Sequence, residues 1–375
     1  MGERHRDARL HADMSAQTPV LELRGSPLER GRAHGAACAD AVRAHVDALL
    51  SAWQRQGIAD PREHRARLLR ETAFRDAIEA HVPHLMREVE GIAQGAGLDL
   101  DAVYALQLLD EEWAFRRRSP NAPRLQKCSS LALRDEAQGV TWVAQNMDLG
   151  AYTDGYQRLV HHAPCDGRPG AMLLTLAGML ALLGVNGAGV GVCVNSIPQV
   201  PSAPTGLPVA FMIRRLLEAA SAREAAEWCR ALPHATNQHY LIADCERIVS
   251  LEASSAGVVD VPLADGDRAL HTNHPLARGE RYPHGEENSV ARLRSLDQRL
   301  GAGAPTLDRI RAALSAFDDP RHPVCRLRTE ELGPINFTTG SRIMALRRAP
   351  APIEGWVSFG PPSERGFSGF SLARD

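Results

Sequence analysis

The sequence predicts an α+β layered fold, an α-rich first third followed by antiparallel sheet interleaved with pairs of helices. Three observations predict it. In the first 116 residues apolar side chains recur at three- and four-residue spacing, as at Val42, Val46, Leu49 and Leu50. From Cys128 onward they come instead as short runs broken by turns. Between the two textures lies RRRSPNAPRLQK, residues 116–127, where charge, two prolines and an asparagine remove any period and predict an exposed loop. The break divides the chain into an α-rich segment, 1–127, and a strand-rich segment, 128–375, which we read together as one unit.

In chain order, a short strand is expected around Pro19 to Leu23. Helical pattern follows near Leu28 to Gln56, Pro61 to Gln94 and Leu100 to Arg117. Beyond the loop, CSSLALRD, VTWVAQNMD, AMLLTLAG, LALLGV and VGVCVNSI read as strands, and Asn186-Gly187 between the last two is a two-residue hairpin signal. Helices are predicted at Pro208 to Ala220 and Ala222 to Leu232, the second opened by Ser221 and Glu224 at capping-box spacing. HYLIAD, RIVSLEAS and RALHTN read as strands. Two further helices, Asn288 to Leu300 and Leu307 to Phe317, precede a strand-like tail containing RIMALRR and WVSFG.

Composition narrows the function. With 375 residues, 44% of them apolar, the chain is long enough to bury a large core. A formal net charge of −2 gives no electrostatic reason to expect nucleic acid or an anionic membrane as partner. The sole lysine is Lys127, so a phosphate-binding Walker loop or a Schiff-base lysine has no other candidate, and Lys127 has the wrong context. The first residues are polar, without the apolar core of a signal peptide, and no run reaches membrane-span length, so a cytoplasmic protein is expected. The seven cysteines form no CxxC pair and read as reduced thiols.

One cysteine stands apart. Cys128 follows the expected loop directly and heads the first strand of the second segment. Were the Lys127–Cys128 bond cut, the new α-amino group, with a pKa of about 8, would lie within reach of its own thiol. Nucleophile and base would then come from one residue, without a histidine. Ser130 points to the same side of the strand by the period of two and is a secondary candidate, either assisting self-cleavage or bonding a neighbour.

Four motifs then fall in order: Cys-Ser-Ser at 128–130, Gln-Asn-Met-Asp at 145–148, GVNGAGVGVCVN at 184–195 and His-Thr-Asn-His-Pro-Leu at 271–276. With them the chain resembles the acyl-coenzyme A:6-aminopenicillanic acid acyltransferase family of cysteine N-terminal-nucleophile hydrolases, itself similar to the choloylglycine and penicillin V hydrolases. Weaker support comes from the Gly-x-Pro-x-Glu-x-Gly-like stretch at 25–31. The resemblance implies a four-layer αββα sandwich, self-cleavage before Cys128 into an α/β heterodimer, and attack of the Cys128 sulfur on a small-molecule amide or acyl thioester, with no cofactor. It assigns Asp148 to holding the nucleophile's amino group, Asn195 and Asn273 to the oxyanion, and Arg292 to a place near Asp148 and Cys128. Two departures stand out: the bond to be cut follows lysine where the penicillin acyltransferase has glycine, and Gln145 replaces the arginine of bile salt hydrolases. LLDEEW at 108–113 also lacks the Asn-x-Arg-x-Glu pattern of several relatives.

Competing readings are a His-dependent metal hydrolase and an unprocessed, non-catalytic binding or scaffold protein of the same fold. His271 with His274, His161 with His162 and His234 with His239 are the candidate metal ligands, but there is no HExxH and no Cys-His cluster at zinc spacing. A serine hydrolase is disfavoured because no GxSxG is present. Hydrolysis versus acyl transfer, the acyl group and any further oligomer are left open by the sequence. The apolar stretch Leu173 to Leu183, with Met147, Tyr152 and Met179, suggests an acyl pocket.

Overall fold

A computed structural model describes residues 19–116, 128–264, 267–277, 287–328 and 336–374. The expected loop after Arg116, including Lys127, lies outside the described residues. The first segment forms β1 (Val20–Leu23) and the helices α1 (Pro27–Ala37), α2 (Ala39–Arg55), α3 (Pro61–Arg70), α4 (Phe74–His81), α5 (Pro83–Ala96), α6 (Leu100–Leu106) and α7 (Leu109–Arg116). The three long helical stretches predicted from periodicity are therefore broken into seven. Pro83 accounts for one break, since the residue before proline is driven from the helical region, and Val82 sits at φ −144°, ψ 48°. Tertiary contact accounts for another: the Ala73 N–H, ahead of α4, donates to the carbonyl of distant Pro204 at 2.8 Å.

Helices α1 and α5 pack unusually closely, and glycine is the reason. A Cβ on Gly31 would lie 2.0 Å from the Glu88 carbonyl oxygen, and one on Gly91 would lie 2.3 Å from that of Leu28. Any larger residue would force the backbones apart. Ser26 and Glu29 cap α1 reciprocally, the full capping box. At the predicted box only half forms: Ser221 Oγ accepts the Glu224 N–H, but the Glu224 carboxylate accepts from Ala220 instead.

Past Cys128 come β2 (Ser129–Asp135), β3 (Val140–Gly150), β4 (Gln157–His162), β5 (Ala171–Leu176), β6 (Leu183–Asn186) and β7 (Gly191–Ser196). Helices α8 (Val209–Leu216) and α9 (Ala222–Ala231) precede β8 (Gln238–Ala243), β9 (Ile248–Ser254), β10 (Gly257–Asp260) and β11 (Arg268–His271). Helices α10 (Glu287–Leu300) and α11 (Leu307–Leu314) are followed by β12 (Asn336–Arg347), β13 (Ile353–Ser358), α12 (Pro362–Arg365) and β14 (Ser368–Leu372). Strands β4 and β10 have no counterpart in the sequence reading, and β14 lies in the expected strand-like tail. The β6–β7 connection is also wider than a two-residue turn. Asn186 and Val190 close a loop over residues 187–189, and of the Asn-Gly-Ala-Gly run only Gly189 takes positive φ, at 91°.

Two sheets result. One runs β1-β4-β5-β6-β7-β8-β9-β10, antiparallel except for the β1–β4 pair; the other runs β11-β2-β3-β12-β13-β14. They face each other through β2 and β3 against β7 and β8, with α8 and α9 outside the first and α10 and α11 outside the second. This is the expected αββα sandwich. Leu131, Leu133 and Trp142 of the second sheet bury against Leu296, Leu300 and Ile310 of its helix layer. The larger core fills the space between the sheets and extends under the N-terminal helices.

That core contains one costly group. Arg342 on β12 is fully buried; its Nη1 donates to the Met172 carbonyl at 2.6 Å, while Nε and Nη2 have no hydrogen-bond partner among the described residues. Burial pulls its pKa down to about 9. Arg342→Met is expected to raise unfolding free energy by about 1–4 kcal/mol, because apolar volume there replaces a desolvated charge without a carboxylate partner. A lower urea midpoint for the variant would contradict this.

Candidate active site

Strand β2 begins immediately after Cys128, and the register of its neighbours builds the site. Ser129 pairs with Asn146 of β3, and Ser130 pairs with both Gln145 of β3 and His271 of β11. Alternation then sends Cys128, Ser130, Gln145 and Met147 toward the facing sheet. Cys128 Sγ lies 3.5 Å from Met147 Sδ. Ser130 Oγ donates to Asn195 Oδ1 on β7 at 2.5 Å. Gln145 grips Val194 through both backbone groups, accepting its N–H at 2.9 Å and donating to its carbonyl. Gln145 thus ties the two sheets together.

On the other side, the helix layer closes around the backbone of Cys128. Asn273, just past β11, accepts the Cys128 N–H on Oδ1 at 2.8 Å and donates from Nδ2 to the Ser196 carbonyl at 2.8 Å. Arg292 on α10 is fully buried and donates to the Cys128 carbonyl, to Ser129 Oγ at 2.8 Å and to Asn273 Oδ1 at 2.7 Å. Asn288, one turn earlier, accepts from Arg292 Nε at 2.8 Å and fixes the guanidinium plane. Asp148 on β3 is buried and accepts from Thr338 Oγ1 at 2.7 Å.

The electrostatics follow from burial and these neighbours. Burial pushes the Cys128 thiol up to about 12, and the Asp148 charge adds to the rise, while the Asp148 backbone N–H and Arg292 oppose it. Within the continuous chain the thiol is therefore neutral at physiological pH. Arg292 is lowered to about 10 by burial, offset in part by Asp148 and Cys128.

Of the predicted site residues, Cys128, Asn273 and Arg292 meet in direct hydrogen bonds, Asp148 lies close enough to act on the charge of Cys128 and Arg292, and Asn195 joins through Ser130. Lys127 lies outside the described residues. Asn195 differs from Asn273 in one respect: its Oδ1 receives Ser130 and His239, at 3.2 Å, whereas its buried Nδ2 has no partner among the described residues. Of the candidate metal histidines, His239 and His271 stack with centroids 3.6 Å apart, and the other four have partners of their own. His161 pairs with Glu22, His162 approaches Glu88, His234 bonds the Cys229 carbonyl, and His274 bonds Ser289. Among the described residues no group of three or more His, Cys, Asp or Glu is placed to hold a metal ion. Sequence reasoning gave no role to Ser129, although it lies within the Cys-Ser-Ser motif, or to Asn288 and Thr338, which lie in none of the four motifs.

A pocket opens at Cys128, lined chiefly by apolar side chains that include Met147, Leu149, Met179, Leu182 and Ile213, with Gln107, Asp110, Ser196 and Gln238 as polar points. Tyr152, expected here, lines an adjoining pocket that shares Leu109 and Leu149 with the first. Leu173 and Leu174 are core residues of β5.

The family comparison decides the affiliation. The model of the family described as acyl-coenzyme A:6-aminopenicillanic acid acyl-transferase matches residues 134–339, a span holding Asp148, Asn195, Asn273 and Arg292. The chain belongs to this family. Membership in the acyltransferase family makes the chain an enzyme of amide-bond chemistry, an acyltransferase or amidohydrolase. It is 25% identical over 261 residues to the acyl-coenzyme A:6-aminopenicillanic-acid-acyltransferase 40 kDa form of Emericella nidulans, covering 68% of this chain and 69% of that one. Among solved structures it is similar to the Caenorhabditis elegans ortholog of N-acylethanolamine-hydrolyzing acid amidase, with TM-score 0.43, 17% identity, and 58% of this chain and 92% of that one covered. It is also similar to a mutant conjugated bile acid hydrolase from Clostridium perfringens, with TM-score 0.35, 13% identity, and 66% and 97% covered. Among the described residues no helix is long and apolar enough to cross a membrane.

Proposed function

We propose that the protein cuts its own chain between Lys127 and Cys128 and then uses Cys128 to form an acyl-enzyme from a small-molecule amide or thioester with an apolar acyl group. Residues 1–127 and 128–375 would remain together as an α/β heterodimer. The observation that carries this reading is the grip on Cys128: its N–H is held by Asn273 and its carbonyl by Arg292, while its sulfur faces an apolar pocket. Backbone restraint of this kind is what a residue needs if its nitrogen is to become a positioned base.

After cleavage the nitrogen that now donates to Asn273 is an amine. It takes the Sγ proton, and the thiolate attacks the substrate carbonyl. The oxyanion so formed needs a fixed donor, and Asn195 Nδ2 is buried with its proton-donating capacity unspent. The ammonium then returns its proton to the leaving amine, or to the leaving thiolate of a thioester, as the tetrahedral centre collapses. Water or an acceptor amine attacks the Cys128 thioester, giving acid or new amide and restoring the thiol. Asp148 supports the protonated amine and Arg292 the neutral one, so together they keep its pKa in the working range.

Intact-mass measurement of purified protein tests the cleavage, with two species meeting at 127/128 expected. A panel of N-acyl nitroanilides of increasing chain length, with and without an added amine, tests the chemistry. A single uncut chain whose amidase activity survives loss of Cys128 would refute the reading. Asn195→Ala is expected to lower kcat by about 10²- to 10³-fold with little change in KM, the signature of a lost oxyanion donor. A change confined to KM would remove Asn195 from that role.

A further inference from the structure

A second buried polar array abuts the site and joins it at Asn195. Asn195 on β7, His239 on β8 and Glu252 on β9 are successive cross-strand partners, so they form a row along one face of the larger sheet. His271 reaches this row from the opposite sheet. Its ring stacks on His239 with centroids 3.6 Å apart and planes 5° from parallel, and its Nε2 lies 3.1 Å from Glu252 Oε1. Glu252, fully buried, also accepts the Leu276 and Ala277 N–H groups. His239, Glu252 and His271 do not line the Cys128 pocket, yet His239 Nδ1 lies 3.2 Å from Asn195 Oδ1.

The direction of those hydrogen bonds matters. Ser130 Oγ donates to Asn195 Oδ1, which places the Asn195 oxygen toward Ser130. That oxygen also faces His239 Nδ1, so Nδ1 must carry the proton and donate. Nε2 is then the acceptor, and the Ser250 hydroxyl, 2.8 Å away, is its donor. Burial holds the His239 ring neutral, well below the usual imidazole range, which keeps one tautomer defined. The amide of Asn195 is thereby held at its oxygen from two sides, and its NH2 is left free.

We infer that His239 is a positioning residue that orients the Asn195 amide as oxyanion donor, with Ser250 setting its tautomer and His271 and Glu252 holding its ring. The inference rests on the proposed role of Asn195. His239 makes no contact with the reacting atoms; it fixes which end of the amide the carbonyl oxygen meets.

The test exploits the shape of amide side chains. In His239→Asn the shorter amide would present an NH2 where Nδ1 now sits. In His239→Gln the longer amide would reach the Nε2 position instead and leave Asn195 without its second donor. Measured on the nitroanilide that the wild type turns over best, His239→Gln is expected to lower kcat by about 10- to 100-fold, with KM within about threefold. His239→Asn is expected to stay within about threefold of wild type in kcat. An apolar aldehyde, which forms an oxyanion adduct on Cys128, should lose affinity in step with kcat in His239→Gln. In an Asn195→Ala background, His239→Gln should bring no further loss. Equal losses in the two single variants, a loss in KM alone, or additive losses in the double variant would overturn the inference. If Asn195→Ala itself retains full kcat, the fault lies in the proposed oxyanion role instead. Should His239→Gln not fold, Ser250→Ala reads the same step, because loss of the tautomer-setting hydroxyl should lower kcat by about 3- to 10-fold; unchanged kcat would count against the inference.

Discussion

Cys128→Ala is expected to lower kcat/KM on any accepted amide by about 10⁴- to 10⁶-fold and to leave the chain uncut. Both effects have one origin. The sulfur is the group that attacks, first at the Lys127 carbonyl and later at substrate, and alanine offers neither nucleophile nor leaving thiolate. Methyl for thiol is a small change in a packed environment, so folding should survive, and the variant's circular dichroism and melting curve should match those of the wild type to within a few degrees. Mass spectrometry then separates the two roles. An uncut Cys128→Ala chain beside a split wild type places the cutting within the molecule. A variant that splits at the same bond assigns the cut to an outside protease acting between Lys127 and residue 128. An uncut variant that still hydrolyses amides would exclude Cys128 as nucleophile.

Glu88→Gln is expected to destabilise the protein by about 3–5 kcal/mol. Glu88 on α5 is buried at the closely packed α1–α5 contact, where Arg214 of α8 donates to both of its oxygens at 2.6 and 3.2 Å and Arg30 of α1 donates at 3.4 Å. Burial alone would raise its pKa, but Arg214, His162 and Arg30 outweigh that and hold it well below the usual carboxylate range. An amide at this position leaves the two arginines buried with no carboxylate between them. Replacing Glu88, Arg30 and Arg214 together with apolar residues should recover much of the loss, because no lone charge is then left behind. Urea titration of the three proteins reads the result, and a single variant as stable as wild type would refute it.

The same cluster sets a dependence on pH. A carboxyl with a depressed folded pKa contributes stability that is complete above its unfolded value of about 4.3 and is lost as pH falls toward the folded one. Glu88→Gln should therefore flatten the stability curve below about pH 4.3 relative to wild type. The buried histidines act at higher pH. Burial lowers His34 and His45 to about 4, so the unfolded chain takes up protons on them first. Stability is expected to begin falling below about pH 6.5 in wild type and in Glu88→Gln alike.

Much of the fold was legible in the sequence because helix and strand leave local periods. The switch from a 3.6-residue to a two-residue rhythm located the boundary at Cys128, and α9, β2, β3, β8 and β9 begin and end close to where their apolar patterns do. Periodicity could not place the break between α1 and α2 at Cys38, where no proline or glycine interrupts the pattern and the packing of α1 on α5 sets the turn. Nor could it reveal β4, whose Gln157–His162 run is too polar to read as a strand until β1 and β5 flank it.

The same division holds at the site. By itself the sequence determined where the candidate nucleophile stands, at the head of a strand, and through motif order which residue types accompany it. Only the tertiary structure decided how they meet. Asn273 and Arg292 reach Cys128 across 145 and 164 residues of chain, Gln145 became a tie between sheets, and His239 came to lie against Asn195. Those contacts depend on strand register and on the facing of two sheets. A one-residue slip would turn each side chain to the opposite face, and register is fixed by the whole sandwich closing on its core.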